Sequence, residues 1–221
     1  MRLHWTSGNT ALFHWILDDG GRDNSSLAGC SVRSFERKQI VPVINHIAAA
    51  TGRSLGAFIE HLKAPDMMPQ TKICIVGLGF GARVAVTALQ FLADKGYSGA
   101  TAAVDSCVLA RGANGGPWRD GLKSAWAGLV GGTAHPLVNL HQTASASLSR
   151  LQHYLSDDWA GGPIGVRPLA PHLPPGRVKD VDVSADGVPR MPSSEDSMRA
   201  ILLTPSFKAA FASALAATQG K

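Results

Sequence analysis

A glycine-rich turn between a strand and a helix is the feature of this sequence best suited to chemistry. The apolar run at 72–76 predicts a buried strand, and residues 82–95 predict a helix that ends at Gly96. The amides at the start of such a helix can hold a phosphate, and a sharp turn at the same place can present a nucleophile. The two chemistries require different residues around the turn.

The first interpretation is a dinucleotide site. Gly77, Gly79 and Ala82 fit the pattern G-x-G-x-x-G/A. An acidic residue about 20 residues further on would bind the ribose, and Asp105, at or near the end of the next predicted strand, is in place for it. This interpretation predicts an enzyme or sensor of the Rossmann type. About 70 residues precede the strand, however, whereas a Rossmann domain normally begins with it.

The second interpretation is a nucleophile elbow, G-x-S-x-G. The outer glycines match as Gly77 and Gly81, and the central serine is replaced by Gly79. Glycine offers no nucleophile, and it adopts strained backbone angles without the steric cost that serine would bear. The pattern therefore predicts an elbow that keeps its shape and has lost its reactive group.

The chain downstream of this turn resembles the α/β-hydrolase superfamily, in its lipase- or esterase-like branch. The resemblance covers roughly residues 73–184. It includes a small-residue loop at 104–116, a strand leading with an asparagine at 136–145, and a Pro/Gly-rich stretch at 162–184 that ends in Val-Asp-Val-Ser. It implies one α/β domain over residues 1–221, with a mostly parallel sheet covered by helices on both faces as a three-layer sandwich.

The same resemblance implies a catalytic serine, acid and histidine in that chain order, and none is in place. The serine position is Gly79, the acid position reads Thr143-Ala144-Ser145, and 185–192 contain no histidine. The last histidine of the chain is His172. We therefore expect a catalytically inactive protein that serves as a binding or structural subunit of a larger assembly. A hydrolase with a displaced nucleophile, Ser106 or Ser145, is a lesser alternative.

No other residues suggest a metal or cofactor site. The eight histidines lack the H-x-x-x-H and H-E-x-x-H spacings typical of zinc ligands. His141 follows a predicted strand, at the edge of the sheet where ligands of α/β proteins bind, but a loop histidine without a catalytic role is the favoured interpretation. We predict no metal and, unless the dinucleotide interpretation holds, no cofactor.

Charge and cysteine content limit the partners and the compartment. The formal charge is +5 and the pI about 9.4, but the basic residues are scattered except for Arg33, Arg37 and Lys38, so nucleic-acid binding is not indicated. No apolar stretch is long enough to span a membrane. Of the three cysteines, Cys74 and Cys107 lie in apolar runs. Free thiols predict a reducing intracellular compartment, either cytoplasm or mitochondrial matrix.

The pattern of apolar residues predicts strands alternating with helices. Before the glycine turn it predicts a helix at 10–17, a strand at 30–35, a helix at 36–51 with Pro42 in its first turn and Gly52 at its end, and a further helix at 54–62. After the turn it predicts strands at 102–110, 136–140 and 178–183, and helices at 122–130, 145–155 and 205–218, with another beginning at Ser193.

Overall fold

Strands and α-helices alternate along most of the chain that the structure describes, and residues 200–203 are also helical. The computed structural model describes residues 2–6, 10–14, 32–117, 120–143, 162–187 and 200–219. In chain order the elements are β1 (Arg2–Thr6), β2 (Thr10–His14), α1 (Val32–Leu62), β3 (Cys74–Leu78), α2 (Phe80–Asp94), β4 (Ser106–Ala110), α3 (Asp120–Gly131), β5 (Leu137–His141), β6 (Val178–Asp182) and α4 (Pro205–Gln219). Short 3₁₀ turns occur at Gly99–Thr101, Ile164–Val166 and Ala170–His172.

The main sheet has four strands, all parallel. Its order β3-β4-β5-β6 follows the order of the chain, and each neighbouring pair is joined by a connection that crosses over the sheet. All five residues of β4 and all five of β5 are buried, which explains why these strands are apolar without alternation. The pair β1 and β2 forms a separate antiparallel hairpin.

Helices cover both faces of the main sheet. On one face the side chains of β4 at Cys107 and Leu109 join a core with α1, α2 and α3. On the other face Val108 and Ala110 join a core with α4, where Phe207 stacks on Phe211 with ring centroids 6.1 Å apart. The predicted α/β class, with a parallel sheet between two helical layers, is confirmed.

Helix α1 lies close against α2 because small residues line the contact. A Cβ at Gly52 would lie 2.6 Å from the carbonyl oxygen of Val84, and a Cβ at Gly56 would lie 2.7 Å from the ring of Phe91. One turn further on, Lys95 Nζ lies 3.5 Å from a carboxylate oxygen of Glu60. Successive residues of α1 contact successive residues of α2, from Gly52 with Val84 to Glu60 with Lys95. The two helices therefore run in the same direction.

The elements before residue 62 differ from the sequence-based expectation. The predicted helix at 10–17 is wrong, because residues 10–14 pair as β2 with β1, with Leu3 opposite Phe13. Cross-strand pairing outweighs the local helical spacing there. The predicted strand at 30–35 is also wrong, since α1 begins at Val32.

One helix of 31 residues stands where two shorter ones were expected. Gly52 does not end the helix. It lies inside the helix, where the absence of a side chain lets α2 pack closely against α1. Pro42 lies within the helix rather than in its first turn; it removes one backbone hydrogen bond of many. The helices predicted at 145–155 and from Ser193 lie outside the described residues. No helix among the described residues is long and apolar enough to cross a membrane.

Replacing Gly52 by alanine should destabilise the protein, by about 1–3 kcal/mol from overpacking against α2, even though alanine is the better helix former by about 1 kcal/mol. Gly128→Ala in α3 is the matched control, because a Cβ there meets nothing within 4 Å. It should be stabilising by about 0.5–1 kcal/mol. Urea unfolding of both variants measures the difference; equal effects would show that α1 does not approach α2 as described.

Candidate functional site at the carboxyl edge of the sheet

The carboxyl ends of the four parallel strands meet at one edge, where ligands of open α/β sheets bind. The glycine turn follows β3, a buried loop at 111–116 follows β4, and β5 and β6 end at His141 and Asp182. Residues 163–166 cross over this edge and pair with the loop after β4. These segments form the candidate site.

Gly79 makes the sharp turn between β3 and α2. Its backbone angles are φ 54° and ψ −118°, which favour glycine and strain any other residue. Its N–H donates to the carbonyl of Ala110 at 3.1 Å, and its own carbonyl accepts from Ala113 at 2.9 Å and Ala82 at 3.2 Å. The turn is therefore tied both to the end of β4 and to the loop that follows it.

The flanking glycines do not have equal roles. A Cβ at Gly77 would lie 2.6 Å from the carbonyl oxygen of Gly81 and 2.7 Å from the Cα of Ala82, so only glycine lets strand and helix approach this closely. A Cβ at Gly79 or Gly81 would meet no atom within 4 Å. The position of residue 79 thus faces open space, as a side chain presented to a ligand would.

Two further glycines let the crossing segment rest on the loop after β4. A Cβ at Gly165 would lie 2.4 Å from the carbonyl carbon of Arg111, and a Cβ at Gly112 would lie 2.5 Å from the side chain of Ile164. Hydrogen bonds join Gly165 N–H to the carbonyl of Gly112 at 2.9 Å and Gln142 N–H to the carbonyl of Gly165 at 2.8 Å. The loop after β4 is therefore buried between the turn and this segment.

Arg111 is a buried cation in an uncommon backbone conformation. Its φ is 47°, and only 2% of the residue is exposed. Burial lowers the pKa of its guanidinium to about 10, which leaves it charged at neutral pH. Holding a non-glycine residue in the left-handed region of backbone conformation costs about 1–3 kcal/mol, and such residues cluster at functional sites.

Other polar side chains are buried beside it. Asn114, His141 and Gln142 are at most 7% exposed. Asn114 donates from Nδ2 to the carbonyl of Gly115 at 3.2 Å. Asn114 Oδ1 and His141 Nδ1 have no hydrogen-bond partner among the described residues. The edge of the sheet is thus unusually polar for a place so well covered.

Asp182 lies opposite His141 in the register of β5 and β6. Hydrogen bonds from neighbouring residues fix its carboxylate. Its carboxylate accepts from Ser184 N–H at 2.9 Å and from the Thr143 hydroxyl at 3.1 Å. The pKa of this carboxyl is lowered, first by the hydroxyl of Ser184; burial opposes this, and the Ser184 N–H, Thr143 and His141 lower the pKa further. Asp182 is exposed, and these bonds leave it a structural carboxylate.

Two residues earlier in β6, Asp180 anchors the chain that leads away from the crossing segment. Its carboxylate accepts from Leu169 N–H at 2.9 Å, Ala170 N–H at 2.7 Å and Asn139 Nδ2 at 2.8 Å. Asn139 also donates to the carbonyl of Arg167 at 3.1 Å. The asparagine that contributed to the hydrolase resemblance therefore positions the segment that covers the site.

Asp105 is not where the dinucleotide interpretation requires it. Asp105 lies just before β4 begins rather than at the end of β4, and therefore at the opposite edge of the sheet from the glycine turn. The rise of five strand residues puts about 16 Å between them. Its carboxylate accepts from Ile73 N–H at 2.8 Å and from Lys72 Nζ at 3.2 Å. The structure brings Gly77, Gly79 and Ala82 together but leaves the expected ribose acid in a structural role.

The other expected site residues are distributed as follows. Ser106 is the first residue of β4, at the amino edge and 2% exposed, so it is not a displaced nucleophile beside the turn. Ser145 lies outside the described residues. Thr143 donates to Asp182, as described above. Residues 183–187, which follow β6, include no histidine.

The two cysteines that the structure describes, Cys74 and Cys107, take no part in this site. Cys107 is buried and free, and burial raises the pKa of its thiol. Cys74 is free and half-buried, and desolvation raises its pKa too. Within the described ranges no group of three or more histidine, cysteine or acidic side chains is arranged to hold a metal ion.

Sequence reasoning missed the buried polar residues Arg111, Asn114 and Gln142. Their one signal is position: each lies within four residues after a predicted strand, at the edge where sites lie. The sequence predicted a small-residue loop there, and the structure shows that the glycines at 112 and 165 serve close packing.

Comparisons with protein-family models, with curated proteins and with solved structures yield no match to this chain.

Alanine at Gly77 should destabilise the protein by about 2–3 kcal/mol, because the new Cβ meets backbone atoms that cannot move aside cheaply. Gly81→Ala, at the matching position on the other side of the turn, should change the free energy of unfolding by less than about 0.5 kcal/mol. Chemical denaturation compares the two. A larger loss at Gly81 would contradict the geometry of the turn.

Removing the carboxylate of Asp180 should destabilise the protein by about 2–3 kcal/mol, since two backbone amides and one side-chain amide lose a charged acceptor. The control Asp66→Ala removes an exposed carboxylate and should cost less than about 0.5 kcal/mol. Thermal unfolding, with amide exchange at Leu169 and Ala170, reports both the loss and its location. Unchanged exchange in Asp180→Ala would contradict the anchoring role.

Proposed function

We propose that this chain is a catalytically inactive protein with an α/β-hydrolase-like fold, acting as a binding or structural subunit of a larger assembly. The observation that supports this most is the backbone of Gly79, with φ 54° and ψ −118° at a strand-to-helix turn on the carboxyl edge of the sheet. A nucleophile elbow holds its serine on a sharp, strained turn at that place in a hydrolase sheet. Here the strained position carries no side chain.

Among the residues that the structure describes, none beside the turn forms a triad arrangement. Nucleophilic catalysis needs a nucleophile, a base within hydrogen-bond reach and a third group that orients the base. Ser106 is at the opposite edge, Asp182 is held by its own turn, and the chain has no histidine after His172. Buried His141 ends β5, two strands away from the turn or about 10 Å by the strand spacing.

Exposed apolar side chains support a binding role. Among the described residues, four of the five large hydrophobic residues that remain exposed lie on α1 or in the loop after it; they are Ile47, Phe58, Met67 and Met68. Exposed apolar side chains that form a contiguous patch mark interaction surfaces, and we propose that these four contribute to one. Methionine adapts to a partner's shape better than branched side chains do.

A nucleotide site at the same turn is the second candidate. It is favoured by the close approach of strand and helix at Gly77 and Ala82, which a pyrophosphate cradle also needs. Two observations oppose it. Asp105 is at the wrong edge, and among the described strands the sheet order does not reverse at β3, whereas dinucleotides bind where it reverses.

Two probes separate these candidates. A fluorescent fluorophosphonate should leave the full-length chain unlabelled, because no activated serine is present. NAD and ATP at 1 mM should not raise Tm, whereas a nucleotide at about 100 times its Kd would stabilise by about 2.7 kcal/mol. Labelling would revive the displaced-nucleophile hydrolase, and a nucleotide-dependent rise in Tm would replace the proposed function by the second candidate.

Installing serine in the turn sharpens the test. Gly79→Ser has room for its side chain, and its backbone strain should cost about 1–3 kcal/mol. We expect the folded variant to remain unlabelled by the fluorophosphonate, because none of the described residues places a base beside residue 79. Gly81→Ser, which also has open space, is the matched control. Labelling of Gly79→Ser alone would reveal a working base at the site and contradict complete loss of the triad.

A further inference from the structure

We draw no further inference here: the strongest candidate, the cluster of buried polar side chains at the carboxyl ends of β4 and β5 (Asn114, Asn139 and His141), belongs to the site already described, and nothing in the part of the chain that the structure describes shows which ligand it would hold.

Discussion

The contact between the backbone of β3 and the first turn of α2 is the constraint on which the site depends. Only hydrogen fits at Gly77, since a methyl group would lie within 3 Å of three backbone atoms of Gly81 and Ala82. That approach forces the chain to reverse within one residue, and Gly79 supplies the backbone angles for it. The turn then offers its carbonyl to Ala113 and its amide to Ala110, which positions the loop after β4.

Around this turn, buried polar side chains lie at the carboxyl edge of the sheet. Arg111, Asn114, His141 and Gln142 are buried at the edge where α/β proteins bind ligands, and Asn139 and Asp180 hold the chain that follows the crossing segment 163–166. Yet the residue at the strained position is glycine. Buried polar groups cost free energy unless they are satisfied, which makes this edge the part of the described sheet where a ligand would have most to contact.

Sequence reasoning succeeded where a local pattern and the tertiary fold agree. The strand at 74–78, the helix after it and the final helix from Pro205 follow from apolar periodicity and from glycine at the turn. It failed where a contact distant in sequence determines the local structure. Local rules predict that Gly52 ends a helix, but there the glycine lets α2 pack against a continuous helix. Residues 10–14 were predicted to be helical, but they pair with β1 in a hairpin. The position of Asp105 was predicted wrongly for a related reason. Strand β4 is shorter than the apolar run that predicted it, and Asp105 lies in that run but before the strand begins.

The central claim is that this chain works through binding rather than catalysis, and its native mass tests that claim most directly. The protein should be taken from its own source under mild conditions and its mass measured by native mass spectrometry or sedimentation. The account predicts a species well above the 23.1 kDa chain mass, with different polypeptides in fixed proportion. A lone chain or a simple homodimer at native concentration would contradict it.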